Sequence, residues 1–81
     1  MSEVKIGCAA LSKAGRDKGR FFAVVGVDGE YALLADGMLR KLEKPKRKKL
    51  RHLQATDTVF TQEELSGDNS LRNAIRERFH L

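Results

Sequence analysis

The sequence predicts a mainly β protein, a small antiparallel barrel of four to five strands with a short C-terminal helix. The chain has 81 residues, which allows one small hydrophobic core. Turn signals recur about every eight to ten residues in the first part of the chain, and such short segments leave no space for crossover helices. Apolar residues recur at helical spacing only near the C-terminus. We therefore expect a barrel over residues 1–55 and an extension over residues 56–81.

The first two strands flank a basic turn that contains glycine. We expect the first strand over residues 4–12, where Gly7 indicates a bulge or a close approach by another backbone. The second strand covers residues 20–27 and is apolar at nearly every position, which is typical of a strand covered on both faces. Since neighbouring side chains of a strand point to opposite faces, at least one of Phe21 and Phe22 belongs to the core. One face of the first strand carries Val4, Ile6, Cys8 and Ala10.

Two Asp-Gly turns bound the third strand. Asp28 and Gly29 form a strong hairpin signal, and the strand over residues 30–35 follows it. Asp36 and Gly37 then repeat the same turn chemistry.

The last strands of the barrel are short. We expect a fourth strand over residues 38–42, with Leu39 and Leu42 in the core. Pro45 has no N–H group, so it interrupts or edges the ladder. A short final strand contains Leu50, Leu53 and Ala55.

The C-terminal extension predicts a helix over residues of about 69–79. Residues 61–64 fit a capping box, which marks the start of a helical turn. At this length the helix is marginal alone, so it docks on the barrel or on a partner, or remains frayed. Its apolar residues at helical spacing are Leu71, Ala74, Ile75 and Phe79.

Catalytic and metal-binding chemistry is not indicated. His52 and His80 lie in unrelated segments without the neighbours of a metal site or a nucleophile–base pair. Cys8 is the single cysteine, so no intrachain disulfide can form. We therefore expect no enzyme activity, metal, cofactor or small-molecule substrate. No apolar run approaches about 20 residues and no hydrophobic leader follows Met1, so we expect a cytoplasmic protein without a membrane partner.

Positive charge is concentrated in two segments. Residues 13–20, the basic loop, hold four bases and one acid, and residues 40–51, the basic tract, hold eight bases and one acid. Half of the 16 bases therefore lie in one short tract, while the formal net charge is +5. Nucleic acid would relieve this repulsion and release counterions, which favours an RNA partner over a merely solvated charge run.

The candidate RNA contacts come from both segments. Two loops rich in bases with few exposed aromatic residues favour backbone and shape recognition of structured RNA. Tyr31 is the best aromatic candidate for an exposed role, although core packing is favoured over base stacking for each aromatic residue. The candidates are Lys13, Arg16, Lys18, Gly19 and Arg20 in the loop and Lys41, Lys46, Arg47, Lys48, Lys49 and Arg51 in the tract, with His52 as a polar contact.

Residues 12–20 and the apolar strand after them resemble a KOW motif, a strand followed by a Gly-x-Asp-Lys-Gly-Lys/Arg turn and a second apolar strand. Over residues 4–55 the chain is similar to short bacterial KOW-domain RNA-binding proteins. These are related to KOW-containing large-subunit ribosomal proteins of archaea and eukaryotes. The resemblance implies an SH3-like barrel that binds RNA, often ribosomal RNA. It also implies that Gly19 is the motif glycine and that the loop bases, Lys13, Arg16, Lys18 and Arg20, meet phosphate.

Two features qualify the functional expectation. Many KOW motifs have another glycine shortly after the position of Gly19, where this chain has Phe21, Phe22 and Ala23. KOW and SH3-like barrels also bind proteins, so the alternative is a protein-interaction module of the translation or transcription machinery. That module would use the barrel and the C-terminal helix, and ribosomal proteins are possible partners. The contact surface would be formed by Leu71, Ile75 and Phe79 of the helix.

Overall fold

Five antiparallel strands and one C-terminal helix form the protein in the computed structural model, which describes residues 3–81. The sheet order is β4-β3-β2-β1-β5. A three-residue 3₁₀ helix joins the two edge strands, so the sheet has to curl into a barrel-like shape. The expected mainly β fold with a short helix is confirmed. The bounds are β1 Cys8–Ser12, β2 Phe21–Asp28, β3 Tyr31–Ala35, β4 Lys46–Lys49, the 3₁₀ helix Leu50–His52, β5 Leu53–Val59 and α1 Asp68–Phe79.

Both faces of the sheet are covered, as the continuous apolar run of β2 predicts. Phe22 is 2% exposed and packs inside the curled sheet with Val24 and Leu34. Phe21 points to the opposite face, where its ring stacks on Phe79 with 3.8 Å between ring centroids. The alternation of adjacent phenylalanines therefore distributes one ring to each hydrophobic cluster.

Helix α1 docks on the outer face of the sheet. Ala9 of β1, Ala23 of β2 and Ala35 of β3 are cross-strand neighbours and are all buried. Because their side chains are small, the helix can pack close to the sheet at this point. Phe79 packs against the same hydrophobic cluster one turn after the last buried residue of the helix. The buried residues lie at helical spacing and are Leu71, Ala74 and Ile75.

The expected fourth strand over residues 38–42 is wrong. Asp36 Oδ1 accepts the backbone N–H groups of Met38 and Arg40, both at 2.9 Å, so these donors are not free for a strand ladder. Leu39, expected in the core, is 64% exposed. Leu42 is half-buried and packs against the hydrophobic cluster between the sheet and α1. The fourth strand forms after Pro45, from the most basic part of the chain.

Gly37 allows the segment after β3 to approach α1. Its φ is +77°, and a Cβ atom there would overlap the carbonyl oxygen of Asp68. Asp68 Oδ1 in turn accepts the N–H of Leu42 at 2.8 Å. The first turn of α1 therefore packs against the β3–β4 connection at Gly37 and accepts a hydrogen bond from it at Leu42.

The first strand is shorter than expected and starts at Cys8. Gly7 has φ +93°; its N–H donates to Val24 O and its carbonyl accepts from Phe60 N–H, both at 2.8 Å. The close backbone approach is confirmed, and the β1–β5 register shifts between Cys8 and Ala10. Ile6 is 64% exposed, so its expected place on the apolar face is wrong.

The chain between the sheet and α1 is tied to both. Leu50 belongs to the 3₁₀ helix rather than to the final strand, and β5 continues beyond residue 55 to Val59. The expected capping box is present, because Thr61 N–H donates to Glu64 Oε1 and Glu64 N–H donates to Thr61 Oγ1. Arg78 links this turn to α1, since it donates to Glu64 Oε1 at 2.9 Å and to Val59 O at 3.1 Å.

Candidate nucleic-acid interface

A buried carboxylate joins the basic loop to β4. Asp17 is 8% exposed. Its Oδ1 lies 2.6 Å from Lys48 Nζ, and its Oδ2 lies 2.7 Å from Lys46 Nζ. Ser12 Oγ donates a further hydrogen bond to Oδ1 at 2.6 Å, and Lys48 Nζ also donates to Ala14 O at 2.6 Å. Two bases of the tract thus hold the centre of the loop.

The surroundings of Asp17 favour its charged form. Burial by itself raises the pKa of this carboxyl, but hydrogen bonds from Lys46, Lys48 and Ser12 outweigh burial and hold the pKa well below its ordinary value. The carboxylate therefore stays ionised at neutral pH, and it compensates the charge of Lys48, which is 9% exposed.

The basic loop is closed by its own backbone. Ser12 N–H donates to Arg20 O, and Gly19 N–H donates to Ser12 O, both at 2.9 Å. Gly15 and Gly19 have φ of +83° and +88°, which residues with a Cβ rarely adopt. A glycine is therefore needed at the position that the resemblance assigns to the motif glycine.

All four bases of the loop are exposed, and none forms an ion pair within residues 3–81. In the chain they flank the ion-paired Asp17, in the order Lys13, Arg16, Lys18 and Arg20. Because the loop is anchored, these charges are displayed from a fixed backbone.

The structure brings the loop next to β4 and the 3₁₀ helix. Lys13 N–H donates to His52 O at 2.8 Å, which places the half-buried His52 beside the loop. Arg51 is exposed on the same 3₁₀ helix, and Lys49 is half-buried at the end of β4. Lys41 is exposed on the β3–β4 connection, and none of the hydrogen bonds or ion pairs described for residues 3–81 joins its side chain to the loop.

Residues of β4 alternate between two roles. Lys46 and Lys48 point to Asp17, whereas Arg47 is exposed and lies over the ring of Tyr31 at 4.0 Å. Tyr31 is half-buried, and this guanidinium already covers one face of its ring. Phe22 is buried and the half-buried Phe21 packs against the cluster under α1, so the expectation that at least one of them belongs to the core is confirmed.

Sequence reasoning missed Asp17 and Ser12 as members of the site. The available signal was an acid in the middle of a basic loop, combined with bases at alternating positions 46 and 48. That signal has meaning only when residues 46–49 are recognised as a strand, because alternation then places both lysines on one face. Because the fourth strand was expected over residues 38–42, the shared face of Lys46 and Lys48 was not recognised.

The comparisons with known proteins add no family. No model of a known protein family matches the chain, and no curated protein matches it significantly. The KOW resemblance therefore stays a prediction. Over the described range no helix is long and apolar enough to cross a membrane, and residues 3–81 contain no group of three or more His, Cys, Asp or Glu side chains that could hold a metal ion.

Proposed function

We propose that the protein binds the phosphate backbone of structured RNA, either ribosomal RNA or RNA associated with the ribosome. The observation that carries the proposal is the anchoring of the basic loop to β4 through Asp17. This contact joins two basic segments that are far apart in the chain into one surface. The exposed cations of the loop are Lys13, Arg16, Lys18 and Arg20, and Arg51 is exposed on the adjoining 3₁₀ helix. Arg47 is exposed too, but it projects from the opposite side of β4.

The surface suits phosphate contacts better than base reading. Lysine and arginine neutralise phosphates without regard to sequence, and a rigid loop fixes the spacing of those contacts. Sequence-specific recognition of single strands generally uses aromatic side chains that stack on bases. Phe22 is buried, Phe21 is stacked on Phe79 and Tyr31 is covered by Arg47. A folded RNA with regularly spaced phosphates is therefore the favoured ligand.

The resemblance to KOW proteins supports the same function. The basic loop occupies the connection between two antiparallel strands, and Gly19 has a positive φ. In KOW-domain proteins such a loop meets RNA, and the related proteins belong to the large ribosomal subunit. We propose an SH3-like barrel of this kind that takes part in translation in the cytoplasm.

RNA crosslinking in cells tests the proposal. RNA bound to the protein is crosslinked, recovered and sequenced, and a ribosome-sedimentation profile is measured from the same lysate. The proposal predicts enriched structured RNA and cosedimentation with ribosomal particles. A protein that recovers no RNA above a matched variant with Arg16→Gln and Lys18→Gln would contradict it.

The alternative function is a protein-interaction module, but the helix residues expected to contact the partner pack within the protein itself. Leu71 and Ile75 are 0% and 4% exposed because they pack on the sheet, and Phe79 stacks on Phe21. A protein partner would have to use another face of α1. A groove beside that helix provides one.

A further inference from the structure

A groove lies between α1, the end of the basic loop and the turn after β3. Its volume is about 410 Å³, and it is partly open to solvent. Arg72 and Arg76 line it from α1, one helical turn apart, and Arg20 lines it from the end of the loop. Phe21, Met38 and Ile75 provide apolar surface. Guanidinium groups thus border an apolar surface.

The three arginines of the groove lack acidic partners. No ion pair described for residues 3–81 involves Arg20, Arg72 or Arg76. Arg72 Nε is buried and has no hydrogen-bond partner, which costs stability until an acceptor reaches it. Asp36 is the one acidic side chain in the lining, and its Oδ1 already accepts two backbone N–H groups of its own turn. The side chains that line the groove therefore have a net positive charge.

The apolar surface of the groove distinguishes among anionic ligands. Met38 is 48% exposed and Leu81 is 67% exposed, and both line the groove. A nucleic-acid backbone consists of charged phosphates and hydroxylated sugars, which cover large apolar side chains poorly. Arginine and methionine are enriched in protein–protein interfaces, where an apolar anchor and a charge pair are buried together. A ligand that satisfies the whole lining combines carboxylates with a large apolar side chain.

We propose that this groove binds an acidic peptide segment of a partner protein. A carboxylate of the peptide pairs with Arg72 and Arg76, because a planar guanidinium matches a carboxylate in a bidentate manner. A neighbouring aromatic or aliphatic side chain packs on Met38 and Leu81, the two exposed apolar residues of the lining. This function is additional to RNA binding, and it uses the part of α1 that the sheet leaves uncovered. Arg20 lies at the junction of the groove and the RNA-binding surface.

A nuclear magnetic resonance titration tests the groove directly. The probe is an acetylated and amidated peptide of sequence Asp-Glu-Phe-Asp-Leu, added to the full chain labelled with ¹⁵N. We expect saturable shifts at the backbone amides of Met38, Arg72 and Arg76. The neutral peptide Asn-Gln-Phe-Asn-Leu should bind about tenfold more weakly or worse, because it cannot form charge-assisted hydrogen bonds.

Two variants locate the binding site. Arg72→Gln combined with Arg76→Gln should weaken the acidic peptide about tenfold or more. Lys5→Gln combined with Lys44→Gln removes the same charge from exposed positions outside the groove and should change the affinity less than about twofold. Arg72 is half-buried, so the exposed Arg76→Gln alone serves as a second variant, with an expected loss of about three- to fivefold.

Three results would overturn the proposal. The first is the absence of shifts at the groove with about 2 mM acidic peptide. The second is equal binding of the neutral peptide. The third is that a hairpin RNA, and not the peptide, shifts Met38, Arg72 and Arg76, which would make the groove part of the RNA surface. Loss of RNA binding in the basic-loop variant is measured separately, so the two proposals can fail independently.

Discussion

Lys48 Nζ donates a hydrogen bond of 2.6 Å to Asp17 Oδ1, and the two side chains are only 9% and 10% exposed. The two residues are 31 positions apart in the chain. Their contact fixes the basic loop against β4, and it is the structural basis of the proposed RNA surface. Lys48, which the charge pattern predicts to contact RNA, therefore has a structural role.

Replacing Asp17 by asparagine should destabilise the protein by about 3 kcal/mol, because removing one partner leaves a buried and uncompensated lysine. The measurement is the free energy of unfolding from urea denaturation followed by circular dichroism. Asp28→Asn is the matched control, since Asp28 is exposed at the last position of β2, next to the hairpin turn. A loss below about 0.5 kcal/mol for Asp17→Asn would show that the buried contact contributes little.

The contribution of Asp17 should also depend on pH in a defined direction. Its pKa in the folded protein is lower than in the unfolded chain, so the contribution is complete above the unfolded value of about 3.9. It is lost as the pH falls from that value through the lower folded pKa. The difference in unfolding free energy between the native chain and Asp17→Asn should stay constant from about pH 7 to pH 5 and shrink below about pH 4. A difference that grows on acidification would contradict this direction.

Replacing Gly37 by alanine should be strongly destabilising, by about 3 kcal/mol or more. A Cβ atom at this position is strained by the positive φ and also collides with the Asp68 carbonyl. Gly29→Ala is the matched control, because Gly29 has φ +60° but nothing within 4 Å of its Cβ position. It should cost about 1–2 kcal/mol, the backbone penalty alone. Equal thermal stabilities of the two variants would mean that α1 can move away from the turn without cost.

Local patterns in the sequence were sufficient for the strands that bury apolar side chains and for the helix. The period of two places Phe21 and Phe22 on opposite faces, and the spacing of Leu71 and Ile75 gives the buried stripe of α1. These features depend only on neighbours in the chain, which is why they can be predicted.

The fourth strand could not be predicted in the same way. Residues 46–49 are all basic, so they show no apolar alternation, although one of them is buried. Burial of Lys48 depends on Asp17, a partner in a distant turn. Residues 38–42 looked more like a strand, but the side chain of Asp36 accepts the backbone donors that a ladder would need. A long-range ion pair decided the first outcome, and local hydrogen bonds to the Asp36 side chain decided the second.

The salt dependence of RNA binding tests the central claim most directly. A surface that neutralises about five to seven phosphates predicts a slope of roughly −4 to −6 in a plot of log K against log salt. Arg16→Gln combined with Lys18→Gln should make this slope less steep by about two, because each phosphate contact contributes about one. The control, Lys5→Gln, changes an exposed base outside the basic loop and the basic tract and should leave the slope unchanged. A flat salt response of the native protein, or the same slope for the native protein and the loop variant, would contradict RNA binding by the anchored basic loop.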